Sequence, residues 1–459
     1  MSFPRYPAYK DSGVEWLGEV PQHWPVYSLK RTVDGCVNGL WGDELDGEND
    51  IAVIRVADFE RSFSTVGLDK LTYRSITPKE RQSRLIKSGD LLIEKSGGGE
   101  KTLVGCVVLF THEFEAITSN FVARMRPLAE FDSQFLCYAF GNLYHGRVNY
   151  PSVKQVTGIQ NLDAESYLQE RFCFPARVEQ IQIARFLDHE TARIDALIEE
   201  QQRLIALLKE KRQAVISHVV TKGLDPTVPM KDSGVEWLGE VPAHWVVSKF
   251  GYISSVVRGG SPRPAGDPEL FNGDYSPWVT VAEITKDDEI YLDETETFLT
   301  KKGSDQCRVF SKGTLLLSNS GATLGVPKIL MIDANANDGV VGFENISLDK
   351  EYSYLYLATL TEGLRDRAAG SGQPNLNTDI VKSIDVPIPP SNEVTEIVAA
   401  VKKLRAQFNF LSKEAVEGIK LLQERRSALI SAAVTGKIDV RGWQPQSSAP
   451  IPELAQEAV

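Results

Sequence analysis

The sequence predicts an α+β protein built twice over: two mixed α/β globular domains separated by a pair of long antiparallel coiled-coil helices, with a pseudo-twofold internal repeat. Three observations predict it. First, "KDSGVEWLGEVPQHW" from Lys10 to Trp24 recurs as "KDSGVEWLGEVPAHW" from Lys231 to Trp245, fourteen of fifteen residues alike at an offset of 221. Second, a further block recurs at an offset of 214: "GIQNLD" from Gly158 against "GQPNLN" from Gly372, Phe174-Pro175 against Ile388-Pro389, Glu179 against Glu393, and "LLKEKRQAVIS" (Leu207–Ser217) against "LLQERRSALIS" (Leu421–Ser431). Third, each of these later blocks carries a heptad pattern. A repeat at fixed spacing organises a chain before any local reading does. Each half reads as short motif, variable domain, fixed exit and long helix.

The elements follow in order. Residues 1–25 hold the first short motif, 26–174 the first variable domain, 175–246 the first long helix with the second motif, 247–388 the second variable domain, 389–440 the second long helix, and 441–459 a flexible tail rich in Pro, Gln, Ser and Ala. The motif's Trp16, Leu17 and Trp24, with Trp237, Leu238 and Trp245, have the character of interface anchors. The same tryptophans would equally serve to lock the motif onto its adjacent helix.

The variable domains contain short β-branched or apolar runs broken by Gly, Asn, Asp and Pro, among them "IAVIRVADF", "GDLLIEKSGGG" and "VGCVVLF" in the first and "PWVTVAEI", "GTLLLSNSGAT" and "GVPKILMI" in the second. These read as strands and turns, with helical stretches at Gln134–Leu143 and Tyr352–Arg367. A fainter likeness links the two domains: Gly89–Ile93 with Ser96-Gly97 against Gly313–Leu317 with Ser320-Gly321, and Gly39 against Gly260.

The helices are predicted over Glu179–Val220 and Glu393–Val434, each about 60 Å long at 1.5 Å per residue. Val401, Leu404, Phe408, Leu411, Ala415, Gly418 and Leu422 alternate by three and four residues, an a/d seam. Leu187, Ile194, Leu197, Leu204 and Leu208 form the matching seam in the first helix, interrupted by Glu190 and Gln201. Prolines precede both helices, as helix interiors exclude them.

Composition narrows the function. Charged residues make up 24% and hydrophobic ones 42%, ordinary for a globular chain. No apolar run reaches the roughly 20 residues of a membrane helix, and the first residues lack a signal-peptide pattern, so a cytoplasmic protein is expected. The five cysteines are scattered without a C-x-x-C pair and read as reduced core residues. Catalytic readings fail. In "SGGGEKT" (Ser96–Thr102) Glu100 breaks the spacing of a phosphate loop, Asp90 has no acidic-x-Lys partner at a workable distance, and the six histidines form no metal-spaced cluster. No Asn/Asp-Pro-Pro-aromatic tetrapeptide of an amino-methyltransferase is present; "IPPSN" only comes close.

The duplicated motif, the paired helices and the domains "G-D-L-L-I…S-G" and "G-x-x-N-L…P" together resemble the specificity subunit of Type I restriction-modification systems, over about residues 8–440. The resemblance implies that each variable part is a target recognition domain reading one half of an asymmetric, bipartite double-stranded DNA target. It also implies a chain with no catalytic centre, which holds two methyltransferase subunits and admits restriction/translocase subunits. No cofactor is expected in this chain; S-adenosylmethionine belongs to the methyltransferase partner, which would flip the target adenine. For DNA, glycine-bounded turns with nearby cations point to Lys95, Ser96, Gly97 and Lys101 in the first domain and to Arg258, Ser261, Arg263, Asn319 and Ser320 in the second. Lys154, Gln155, Gln373 and Asn375 are candidates for base-edge hydrogen bonds. The net charge of −12 favours the alternative, a non-catalytic duplicated coiled-coil scaffold that binds proteins or glycans.

Overall fold

A computed structural model describes residues 3–97, 102–156, 158–321, 323–368 and 375–445. The chain divides into two compact units, Met1–Gln201 with Glu417–Val459, and Gln202–Val416. Each unit therefore owns one variable domain, one copy of the short motif and a segment of both long helices.

The long helices span Arg177–Lys222 and Ser391–Val434, starting two residues earlier than the heptad pattern predicts. Both stop before a glycine in left-handed backbone, Gly223 (φ +79°) and Gly436 (φ +70°), the usual way to release a helix C-terminus. Inside the first unit, Ile183 and Leu187 share a core with Ala433 and Val434, while further along Arg426 Nε donates to Asp195 Oδ1 at 2.9 Å. Forward along one helix is thus backward along the other. In the second unit Ile216, Val219 and Val220 share a core with Val394, Ile397 and Val401, and Arg212 Nη1 donates to Asn409 Oδ1 at 3.1 Å, again antiparallel.

The predicted seam is buried only in part. Leu187, Ile194 and Val401 are buried, and Leu208, Leu404, Phe408 and Leu422 are half-buried, but Leu197, Leu204 and Leu411 are 42–47% exposed. Two helices cover only part of each other's circumference. Leu187 and Val401 belong to cores shared with the variable domain and repeated motif of their own unit.

The variable domains share one topology. In the first unit a sheet runs in the order Val37–Asn38, Val122–Met125, Leu91–Glu94, Val107–Leu109, Thr65–Val66 and Phe59–Glu60. In the second the order is Ser255–Arg258, Val340–Glu344, Leu315–Ser318, Pro327–Leu330 and Tyr291–Leu292, strand for strand the first five. Register agrees too: Ile93 faces Ala123, and Leu317 faces Val341. Leu91–Glu94 and Leu315–Ser318 are buried along their whole length, as a central strand covered on both faces requires.

Local differences from the sequence reading have local causes. "PWVTVAEI" divides into the end of a strand, Phe271–Val279, and a short helix, Val281–Thr285, because Thr280 Oγ caps it by accepting from the Glu283 N–H at 3.5 Å. The expected Tyr352–Arg367 helix is two, Lys350–Thr359 and Thr361–Arg367. Residues 441–445, expected in the tail, are packed: Trp443 meets the Phe186 and His189 rings at 5.3 and 5.2 Å, and its carbonyl accepts from Gln182 Nε2 at 2.6 Å. The remainder of the tail lies outside the described residues.

Candidate nucleic-acid interface

The repeated motif is a two-stranded ribbon in both units, Tyr9–Asp11 with Glu19–Pro21 and Met230–Asp232 with Glu240–Pro242, in identical register. Its final His-Trp pair meets the first turn of the long helix that follows the same variable domain. Trp24 Nε1 donates to Glu179 Oε1 at 3.2 Å, His23 Nε2 lies 2.9 Å from Glu179 Oε2, and Tyr6 Oη donates to Oε1 at 2.8 Å. In the second unit Trp245 Nε1 donates to Glu393 Oε2 at 2.9 Å and His244 Nε2 lies 2.7 Å from Oε1. A carboxylate in a first helical turn is also favoured by the positive end of the helix dipole. Burial, and then the Glu179 carboxylate, push the Tyr6 phenol well above its ordinary value.

The other long helix closes the same motif from its C-terminal end. A Cβ on Gly436 would lie 2.4 Å from Pro21 and 3.2 Å from Trp24, and one on Gly223 would lie 3.3 Å from Trp245. Of the two readings of these residues, such contacts fit the one in which the motif is locked onto its adjacent helices. Trp24 and Trp245 are wholly buried, and Leu17 and Leu238 nearly so, because they lock the motif onto its own helices. Trp16 is 41% exposed, stacked on Phe172 at 6.1 Å, and Trp237 is half-buried against Tyr356 at 6.2 Å.

Residues chosen from the sequence as nucleic-acid contacts come together within each domain. In the first unit Ser96–Gly97 pairs with Ile159–Leu162, which pairs with Val153–Val156, so Ser96 and Lys154 both sit opposite Asn161 and Gln155 opposite Gln160. The Ser96 hydroxyl donates to Asn161 Oδ1. Lys95 Nζ donates to Asn38 Oδ1 at 2.9 Å, whereas Lys154 is already engaged by Asp163 at 2.8 Å. Gln155 is exposed, and Gly97 adopts φ +134°, backbone that a side chain would strain. Lys101 lies outside the described residues.

The second unit repeats the frame with other side chains. Ser320 bridges to Asn375, and the Leu376 N–H donates to the Asn319 carbonyl at 2.7 Å, as the Leu162 N–H donates to that of Lys95 at 2.8 Å. Asn319 is buried, and neither of its amide side-chain atoms has a hydrogen-bond partner among the described residues. Arg258 Nε donates to the Asp338 carbonyl at 2.6 Å, Ser261 Oγ donates to Asp338 Oδ1 at 2.7 Å, and the exposed Arg263 donates its backbone N–H to Gln306 at 2.9 Å. The Ser261 hydroxyl holds the Asp338 carboxyl below the usual range. Gln373 lies outside the described residues.

The match of Gly39 with Gly260 is corrected by one residue. Gly39 and Gly259 donate to Val122 and Val340, while Leu40 and Gly260 donate to Thr118 and Ala336. Gly39 therefore corresponds to Gly259, Asn38 to Arg258 and Trp41 to Ser261. A Cβ at Gly39 or Gly259 would fall 1.9 or 2.3 Å from a backbone oxygen, so close approach explains both glycines.

Comparison with known proteins shows what this duplicated frame is similar to. Residues 242–420 match the model of the Type I restriction modification DNA specificity domain. The EcoKI specificity subunit of Escherichia coli is 22% identical over 457 residues, covering 94% of this chain and 92% of that one. Over nearly its whole length the chain is thus similar to specificity subunits of Type I restriction enzymes. Another relative, the MjaIX specificity subunit of Methanocaldococcus jannaschii, is 31% identical over 198 residues; that match covers 40% of this chain and spans 44% of the relative's length. The HsdS subunit from Thermoanaerobacter tengcongensis has the same fold, with a TM-score of 0.53 at 15% identity over 91% of this chain and 98% of that one.

Two features of this chain escaped sequence reasoning. The Glu179 and Glu393 partners of the His-Trp pairs were aligned but not linked to them, though the joint recurrence of both was the available signal. The glycines that end the helices, Gly223 and Gly436, were passed over because a lysine stands before one and after the other. Among the described residues no His/Cys/Asp/Glu group could hold a metal ion, and no helix is long and apolar enough to cross a membrane.

Proposed function

We propose that this chain is the DNA-reading component of a Type I system: a subunit without chemistry of its own that recognises an asymmetric, bipartite duplex and brings partner subunits to it. The observation that carries this reading is the contrast between frame and surface. Both units keep one strand order and one Glu-Trp-His staple, yet Lys95 and Asn38 of the first stand where the second has the buried Asn319 and the exposed Arg258. Two similar docking surfaces suit two identical methyltransferase subunits, with Trp16 and Trp237 as their anchors. Two different reading surfaces suit two different half-sites, each met in the major groove.

In this reading adenine-N6 methylation and S-adenosylmethionine belong to the methyltransferase partners, and restriction/translocase subunits join the same complex. The polar turn residues position the duplex through phosphates and read base edges. The test is duplex binding by the chain assembled with its methyltransferase, measured across a salt series. A DNA reader loses affinity steeply as salt rises. Absence of duplex binding at low salt would reject the reading in favour of a scaffold for proteins or glycans.

A further inference from the structure

The segment after Asn38 in the first unit differs from its counterpart, and a prepared guanidinium stacks on it. Arg74 lies over the Trp41 ring, 4.7 Å from its centroid. Its Nε is buried without a hydrogen-bond partner, and among the described residues the guanidinium has no carboxylate partner. Trp41 is 38% exposed. The pair is held in place from both sides. Asp43 and Ser75 exchange backbone hydrogen bonds of 3.0 and 3.2 Å, and Gly42 at φ +75° passes so close that a Cβ would meet the Ser75 carbonyl at 2.8 Å. Trp41 is three residues, at most about 10 Å of chain, from Asn38, which accepts from Lys95.

The flank is acidic, with Asp43, Glu44, Asp46, Glu48 and Asp50 following Trp41. Asp46 and Asp50 are turned inward, accepting backbone N–H groups of their own loop, and Asp46 also accepts from the Ser75 hydroxyl at 2.6 Å. Beside such a flank a cation is poorly placed to clamp a phosphate. A base edge is different, because readout there depends on short, directed hydrogen bonds, and a guanidinium fixed by stacking suits the two acceptors of guanine.

Resting on the DNA-reading function above, we propose that Arg74, oriented by Trp41, is a specificity-determining residue that reads a guanine in the half-site of the first unit. At the equivalent position the second unit has Ser261, tied to Asp338, so its half-site is read differently.

The experiment maps N6-methyladenine across the genome of a methylation-free host that expresses the complex with wild-type chain, Arg74→Ala, Arg74→Lys or Trp41→Ala. The expected result is an interrupted wild-type motif in which both Arg74 variants relax the requirement at one G·C pair of one half, about 10-fold or more, and leave the other half intact. Arg74→Lys keeps the charge but not the two-pronged geometry, so a merely structural or electrostatic role would leave it like wild type. Purified complexes with either Arg74 variant should keep the salt slope of duplex binding, whereas Lys95→Ala should lower it by about one. A wild-type motif unchanged in all three variants overturns the proposal alone. A complex that binds no duplex and methylates no motif overturns the DNA-reading function beneath it.

Discussion

The two units solve one structural problem identically and one surface problem differently. Each staples its repeated motif to a first-turn glutamate through a buried tryptophan and a histidine, and each has a sheet with the same order of five strands. They part where the first strand of that sheet ends: Asn38 runs on to Trp41 stacked on Arg74, while Arg258 runs on to Ser261 bound to Asp338. Residues that must fit the chain's own helices are constrained by packing, so they stay alike. Residues that face outward answer to a ligand, so they drift apart.

The staple offers the strongest way to break that comparison. Trp24→Ala and Trp245→Ala should each destabilise their own unit by about 3–5 kcal/mol, as expected for deleting a fully buried aromatic, seen as a lower denaturation midpoint of that unit. Cysteines tell the units apart, since Cys173 is buried in the first and Cys307 is half-buried in the second. Trp24→Ala should therefore speed labelling of Cys173 and leave Cys307 unchanged; equal acceleration of both would mean that the staples are not local.

A smaller difference should separate the two glutamates. Glu179 takes three partners and its side chain is 9% exposed, against two partners and 30% for Glu393. Replacing Glu179 by Gln turns an amide N–H donor towards groups that donate and should cost about 1–3 kcal/mol, more than Glu393→Gln in the same unfolding measurement. The reverse order would show that burial does not set the strength of the staple.

The smallest effect concerns the Ser261–Asp338 contact of the second unit. The Asp338 carboxyl is lowered first by the Ser261 hydroxyl, so its folded value lies below its unfolded one. That stabilisation is complete above the ordinary carboxylate range and is lost as pH falls through the folded value. Ser261→Ala should raise the Asp338 midpoint and move this loss to higher pH, read by carboxyl NMR titration. An unmoved midpoint would leave Ser261 without its assigned role.

Much of the fold was legible because duplication turns faint local signals into paired ones. The heptads placed both helices to within two residues, and the matched Ser-Gly and Asn-Leu motifs, more than fifty residues apart in each domain, do pair across one sheet. The seam was read too generously at Leu197, Leu204 and Leu411, since periodicity states which face is apolar but not what covers it. The partner surface was read too broadly for a related reason. A conserved-looking tryptophan within one chain has the same letter whether it faces a partner or, like Trp24, its own glutamate. Arg74 was missed altogether because its stacking on Trp41 spans 33 residues and no local motif announces it.

The most direct test is to express the chain with the methyltransferase subunit encoded beside it in a methylation-free host, and to map N6-methyladenine before and after exchanging residues 26–174. A single interrupted motif, methylated on both strands and altered in only one half by the exchange, is the predicted result. A stable complex that yields no motif, or one whose two halves both change with that single exchange, would contradict it.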